Sequence, residues 1–191
     1  MESNFLLSQY ANDARLTELA NRLSQGETIQ LKEAAGSLPA LLAAVLLPKG
    51  PHLVILPDSE SAAFFYHDAM QLLGDQPVYY LPSSFKRSPE YGQLDTQSVI
   101  LRTEALNRIS QNGNDYMVVT YPEAVMEKVP SAQELATSTL IITKGAKIDR
   151  SFVVEVLAEY NFVKVDFVYE PGQYAVRGSL IDIYSFAHED P

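Results

Sequence analysis

The chain alternates short, continuously apolar runs with longer segments of helical periodicity, and this alternation constrains the fold more than any other feature. The strand-like runs are His52–Leu56 (HLVIL), Val78–Leu81 (VYYL) and Tyr116–Thr120 (YMVVT). Between them, helices are predicted from Asp58, a helix-capping residue, and from about Asp95 to Ser110. Strands that are apolar on both faces are typical of a parallel sheet covered by helices on both sides. An α/β domain is therefore predicted up to about residue 127.

The segment before these strands has the order of a phosphate-binding loop. A leucine-rich helix is predicted to end at Gly26, followed by a strand at Thr28–Leu31 and an apolar helix from Ser37 to about Leu47. Strand, glycine turn and helix are the parts that hold nucleotide phosphates in G-x-x-x-x-G-K-[ST] loops. The order of elements alone thus raises the question of nucleotide binding.

The residues that would bind the phosphates are replaced. If Gly36-Ser37 is the glycine step, Leu38 stands for the second glycine, Pro39 for the lysine and Ala40 for the metal-binding hydroxyl. Leucine blocks close backbone approach, proline lacks both a cation and an N–H donor, and alanine cannot bind a metal ion. The sequence therefore favours a tight turn into a buried helix, with no cofactor and no catalytic residue. The alternative interpretation is a nucleotide-dependent enzyme with an unusual phosphate loop.

The pattern changes after about residue 127. A strand is predicted at Leu140–Thr143, and a helix capped by Asp149 extends to about residue 160. Three strand-like runs with alternating polarity follow between residues 164 and 184, which favours an antiparallel sheet with one solvated face. Gly172 and Gly178 lie at the turns and are predicted to serve backbone geometry. This part is predicted to be a small α+β unit.

Charge and composition exclude several functions. The 191 residues carry a net charge of −10, which disfavours a broad nucleic-acid surface, since such surfaces are rich in Lys and Arg. DNA contact is therefore predicted to be weak or missing, although Lys86-Arg87 beside Phe85 and Tyr91 could touch a single strand or a partner. No apolar run is long enough to span a membrane, and the N-terminus lacks the pattern of a secretory signal.

Metal and thiol chemistry are also disfavoured. The chain has no cysteine, which rules out disulfides and thiolate ligands and fits a cytoplasmic location. Its histidines, His52, His67 and His188, are scattered without ligands at helical spacing, so no metal site is predicted.

The order of segments resembles that of a known family. AAGSLPALLAAVLL, HLVILPDSESAAFFYHDAMQLL, VYYLPS and the run DYMVVTYPEAVMEKV occur in the order of the UvrB-like module of bacterial transcription-repair coupling factors (Mfd). GQYAVRGSLIDIYSF is similar to the family's Gly-x-Tyr-x-x-Arg-Gly-x-Leu-x-Asp signature. The resemblance covers about residues 30–187. In this family the first segment is a degenerate Walker loop, as it is here.

The resemblance implies a domain organisation. Residues 1–127 would be a degenerate RecA/helicase-like domain, 128–178 a small α+β domain like domain 2 of UvrB, and 179–191 the start of a return to the first domain. The module continues further in the family, so the chain is interpreted as a fragment.

The resemblance also implies a function. The chain would be a non-catalytic module that recruits the excision-repair protein UvrA to stalled RNA polymerase, and it would also pack against other domains of the full-length factor. The ATP-driven translocase of the family lies elsewhere in the longer protein.

Four residues are the predicted UvrA contacts, because cations and aromatic side chains dominate interface energetics. Arg177 is the first choice, since it lies in the Arg-Gly signature. Lys164 stands where relatives often have Arg, and lysine lacks the bidentate fork. Tyr174 is on the other face of its strand from Arg177 unless a bulge intervenes. The fourth residue is Tyr184. Alternatively, both tyrosines are half-buried sheet residues, and Arg177 pairs with Asp182 or Glu170.

Overall fold

The chain divides into two compact units. The structure is a computed structural model that describes residues 2–74, 78–85, 95–111, 116–131, 133, 140 and 142–186. Unit 1 contains Met1–Ser83 and Glu104–Glu127, and unit 2 contains Ser84–Thr103 and Lys128–Pro191. The boundaries predicted at residues 127 and 178 stay predictions.

Unit 1 is built on a parallel three-stranded sheet. Its strands are β1 (His52–Ile55), β2 (Val78–Tyr80) and β3 (Met117–Thr120), in the order β1-β3-β2. Val54 and Tyr80 both pair with Val119, so the central strand is hydrogen-bonded on both sides. All four residues of β3 are buried, as expected of a strand covered by helices on both faces.

Helices cover the two faces of the central strand. The helices are α1 (Glu2–Ala11), α2 (Ala14–Ser24), α3 (Leu38–Leu46), α4 (Ser59–Leu73), α5 (Thr96–Ser110) and α6 (Pro122–Met126). One face of the sheet packs against α3 and α4 around Ala44, Phe65 and Ala69, and the other packs against the second half of α5 through Ala105. Asp58 caps α4 as predicted, since its carboxylate accepts a hydrogen bond from the Ser61 N–H at 2.8 Å.

Two predicted strands are wrong. Thr28–Leu31 is irregular, and all of its residues except Ile29 are exposed, so it has no buried face that would hold it in a sheet. The other predicted strand, at Leu140–Thr143, is also not formed. Its described residues, which are Leu140, Ile142 and Thr143, lie outside any strand. Short apolar runs form strands only when a neighbouring strand pairs with them, and local sequence does not report that partner.

Unit 2 contains a helix packed on a small sheet. The elements are α7 (Arg150–Glu159), β4 (Val163–Lys164), β5 (Gln173–Arg177) and β6 (Leu180–Tyr184). β5 and β6 form the predicted antiparallel hairpin. β4 pairs with β5 in parallel, which corrects the fully antiparallel prediction, because the long loop after β4 returns the chain to the start of the sheet.

The predicted fold class is confirmed. A parallel α/β sheet with helices is followed by a second three-stranded sheet with its own helix. The strand β6 pairs with β5 inside unit 2, because the two-residue turn at Gly178-Ser179 folds it directly back on β5. The predicted return of residues 179–191 to the first domain stays a prediction.

Candidate partner-binding surface

The small sheet of unit 2 has one face on its helix and one face turned away from it. Tyr174 pairs with Ile183 and Val176 pairs with Ile181, and these side chains pack with α7 in one apolar cluster. Successive strand residues point to opposite faces. Arg177 on β5 therefore lies on the other face of the sheet, away from α7. On β6 this outer face contains Leu180, Asp182 and Tyr184.

Arg177 is held in place on this outer face. Its guanidinium forms an ion pair and hydrogen bond with Asp182 of the neighbouring strand and lies 5.5 Å from the centre of the Phe167 ring. The side chain is still 52% exposed. A planar cation fixed between a carboxylate and an aromatic ring is presented in one orientation to a partner. The alternative pairing of Arg177 with Asp182 is thus present, and it leaves half of the side chain accessible.

The two predicted tyrosines occupy different positions in the sheet. Tyr174 is only 5% exposed and packs against Val153 and Leu157. It belongs to the core, which corrects its prediction as a partner contact, because the continuous register of β5 and β6 contains no bulge that would turn it outward. Tyr184 is half-buried, and its backbone oxygen accepts a 2.7 Å hydrogen bond from the Gly172 N–H.

Lys164 lies on the helix side of the sheet and apart from Arg177. It pairs with Tyr174 in the parallel register, so the two residues share a face. Its exposed side chain lines an open cavity of about 520 Å3 together with residues of α7 and β5. The structure therefore places Arg177 and Tyr184 on one face of the sheet, and Lys164 and Tyr174 on the other.

Sequence reasoning missed two residues beside this surface. Arg150, the first residue of α7, donates a 2.6 Å hydrogen bond to the backbone oxygen of Gly178 in the hairpin turn. The two residues are 28 positions apart, and no local pattern indicates such a contact. The sequence signal at Phe167 points the other way, since the alternation of KVDFVYE assigns it to the apolar face with Val165, whereas in the structure its ring is 56% exposed beside Arg177.

The two glycines of unit 2 have the backbone conformation that favours glycine. Gly172 has φ +83°, and a Cβ atom there would lie 2.6 Å from the Phe186 ring. Gly178 has φ +61° in the hairpin turn, with open space around it. Both angles lie in the left-handed region, which glycine adopts without steric penalty.

The segment predicted to be a degenerate phosphate loop is a turn without a preceding strand. Gly36 has φ +60°, and the Leu38 N–H closes the turn on the Ala35 oxygen at 3.3 Å. The Ser37 hydroxyl makes no capping hydrogen bond, and Pro39 occupies the first turn of α3. Ala40 is buried in the core.

The groove beside this turn is mostly apolar. Its volume is about 380 Å3, and its charged lining residue is the carboxylate Asp68. An acidic side chain at this position disfavours a phosphate group. The remaining lining residues are Leu6, Tyr10, Ser37, Leu38, Leu41, Gln71 and Leu72.

Comparison with known proteins agrees with the predicted resemblance. The family model described as the UvrB interaction domain matches residues 140–191. The transcription-repair-coupling factor of Bacillus subtilis is 28% identical over 124 residues, 65% of this chain and 10% of the relative. That of Escherichia coli is 28% identical over 169 residues, 87% of this chain and 14% of the relative.

The chain is similar to a UvrB-like module of transcription-repair-coupling factors.

A UvrB protein is also among the relatives. The UvrABC system protein B of Streptococcus uberis is 24% identical over 115 residues, 60% of this chain and 17% of the relative. The chain thus spans less than a fifth of the length of these relatives. The UvrB interaction match includes the four predicted partner residues and excludes the degenerate loop at Gly36.

The metal, membrane and nucleic-acid predictions are compared with the structure in turn. In the described ranges, no three His, Asp or Glu side chains come together as a metal site would require. None of the helices that the structure describes has the length and apolar character of a membrane span. Lys86, Arg87 and Tyr91 lie outside the described residues, so their predicted nucleic-acid or partner contact stays a prediction.

Proposed function

We propose that this chain is a non-catalytic interaction module of a transcription-repair coupling factor, and that unit 2 binds UvrA in the cytoplasm. By this binding the module recruits excision repair to a stalled RNA polymerase. The observation that carries the proposal is the match of residues 140–191 to the UvrB interaction domain, which contains the outer face of the small sheet. The other domains of a full-length factor are its further partners.

The outer face has the properties of a protein-binding surface. Arg177 is oriented by Asp182 and Phe167, so a partner does not have to immobilise a free arginine side chain. Beside it, Phe167 is 56% exposed and Leu180 is 64% exposed, although both are large and apolar. Arginine and aromatic residues such as Phe are enriched at protein interfaces relative to the rest of a protein surface.

Titration calorimetry of the chain with UvrA tests the proposal. Arg177→Ala is expected to weaken the affinity at least about ten-fold, since truncating a hot-spot residue costs more than about 1.4 kcal/mol. Arg22→Ala is the matched control, because Arg22 forms a similarly exposed ion pair with Glu27 in unit 1. The control is expected to bind like the wild type. If the wild-type chain releases no heat and is not retained by immobilised UvrA, the proposal fails.

Nucleotide binding is tested separately with ATP and Mg2+. We expect no heat up to sub-millimolar ATP, because Pro39 offers no N–H to a phosphate and the nearby groove carries Asp68. Saturable heat that Gly36→Val removes would favour the nucleotide-dependent enzyme over the interaction module.

A further inference from the structure

Unit 2 has a second feature on the helix side of its sheet. The open cavity of about 520 Å3 is lined by the start of α7, by β4 and by β5. Its apolar lining consists of Val154 and Val176, and its charged lining consists of Lys164, Arg150 and Asp149. Cationic and apolar groups therefore meet in one concave site that three separate elements build.

The charges of the cavity do not cancel. Asp149 accepts hydrogen bonds from the hydroxyl and from the backbone N–H of Ser151, and these bonds lower the pKa of its carboxyl, which stays negatively charged. The Arg150 guanidinium contributes to the same shift by its charge and also donates one N–H to the Gly178 oxygen. Lys164 forms no ion pair with any residue that the structure describes. The lining therefore carries two cations and one carboxylate, and its charge stays net positive.

We infer that this cavity receives an acidic side chain, Glu or Asp, of the protein that unit 2 binds, with Lys164 and Arg150 as its cationic partners. Val154 and Val176 accommodate the methylene groups of such a side chain, while its carboxylate reaches the two cations. This inference rests on the proposed binding of UvrA, and it adds a contact on the opposite face of the sheet from Arg177.

A carboxylate fits the site better than a nucleic-acid phosphate. Nucleic-acid surfaces follow an extended backbone with several cations, and here two cations lie in one cavity. The surrounding sequence is also acidic, with six Lys and Arg against nine Asp and Glu between residues 128 and 191. A single carboxylate needs only a local positive charge, whereas a long polyanion is repelled by the net negative charge of residues 128–191.

Arg150 has a second role in this arrangement. Its hydrogen bond to Gly178 connects the start of α7 to the turn of the β5–β6 hairpin, next to Arg177. An acidic side chain bound at Arg150 therefore also acts on the turn that follows Arg177. A partner that occupies the cavity and contacts the outer face engages both sides of the same hairpin.

The test compares matched variants in calorimetric titrations with UvrA. Lys164→Met is expected to weaken binding about ten-fold, the size of one charge-assisted hydrogen bond, and Lys164→Glu is expected to weaken it more. Lys144→Met is the control, because Lys144 is an exposed lysine of the same unit outside the cavity. Raising the salt concentration from 50 to 300 mM is expected to weaken the affinity of both proteins for UvrA. The fold loss of affinity should be about two to three times larger for the wild type than for Lys164→Met.

The outcomes separate the inference from the proposed function. If Lys164→Glu binds UvrA like the wild type while Arg177→Ala does not, the cavity is no contact site and the proposed function stands. If the wild type does not bind UvrA, both are overturned. A duplex oligonucleotide is titrated in parallel by fluorescence anisotropy. Binding that Lys164→Met abolishes, with unchanged affinity for UvrA, would assign the cavity to phosphate and overturn the inference.

Arg150→Met is a supporting variant, since it also removes the contact with Gly178. Circular dichroism and thermal unfolding show whether unit 2 keeps its fold. A folded Arg150→Met variant is expected to bind at least ten-fold more weakly, and wild-type affinity in that variant would exclude Arg150 from the site.

Discussion

The two sheets of this molecule use their faces differently. In unit 1, the central strand β3 is buried along its whole length, because helices cover both sides of the parallel sheet. In unit 2, α7 packs on one side of the small sheet, and no residue of β6 is fully buried. The central strand of the first sheet therefore contributes both of its faces to the core, whereas β1 leaves Leu53 and Ile55 exposed. The small sheet keeps the end of its outer face exposed around Arg177 and Leu180, while Ala175 on the same face is buried.

The comparison shows how a fully covered strand and a partly exposed sheet divide stability and accessibility between the two units. A strand buried on both faces, such as β3, contributes to stability by removing apolar surface from water. A small sheet with an exposed face is less stable on its own, but it presents fixed side chains such as Arg177. The following predictions test how far this difference extends.

The largest effect is expected for truncation in the central strand of unit 1. Met117→Ala should lower the free energy of unfolding by about 2–5 kcal/mol, because the side chain is fully buried and its removal leaves a cavity. The matched variant is Leu53→Ala on the neighbouring strand, where the side chain is 61% exposed and the loss should stay below about 1 kcal/mol. Urea denaturation measures both. Equal losses would mean that β1 and β3 contribute alike to the core.

In unit 2 a comparable loss is expected from the backbone. Gly172→Ala should cost about 2–3 kcal/mol, because the left-handed conformation is strained for alanine and its Cβ would meet the Phe186 ring. Gly178 also has a positive φ, but it has open space around it. Gly178→Ala should therefore lower the free energy of unfolding by about 1–2 kcal/mol. Thermal unfolding of the two variants separates the steric term from the backbone term. A Gly178 variant that is less stable than the Gly172 variant would contradict this explanation.

Helix caps should have effects of about 1 kcal/mol in either unit. Asp58→Ala and Asp149→Ala each remove a carboxylate that accepts a backbone N–H at the start of a helix. Amide hydrogen exchange of α4 and α7 should show the loss in the helix whose cap is removed. Ser37→Ala serves as the control, since the Ser37 hydroxyl makes no capping bond and its loss should change stability little. An equal loss in this control would contradict the capping argument.

The smallest effect is expected at the exposed cap of α2. Hydrogen bonds from Arg15, first from its side chain and then from its backbone N–H, lower the pKa of Asp13 to about 2, from the ordinary value of 3.8. A lowered pKa in the folded state stabilises the helix fully above pH 3.8, and this contribution disappears as the pH falls towards 2. NMR titration of the Asp13 carboxyl measures the midpoint. In Arg15→Ala the backbone N–H remains and the guanidinium is lost, so the midpoint should move part of the way back towards 3.8. An unchanged midpoint would exclude the Arg15 side chain as the main cause.

Local pattern was sufficient for most of the elements. The continuously apolar runs predicted β1, β2 and β3, and capping residues such as Asp58 and Asp149 marked the starts of helices. These predictions succeed because helix periodicity, caps and buried strands are encoded by neighbouring residues. The strand predicted at Thr28–Leu31 failed because pairing is a property of the sheet. A sequence window contains no information about whether a partner strand is present.

The candidate surface was only partly predictable. The sequence alone determined that Arg177 and Lys164 stand on or beside strands and that Gly36 precedes a helix without phosphate ligands. The tertiary structure alone decided that Arg177 and Lys164 lie on opposite faces, that Tyr174 is buried, and that Arg150 contacts the turn at Gly178. The physical reason is that the face of a side chain depends on register and on the helix packed against the sheet, and both are set by contacts between residues far apart in the chain.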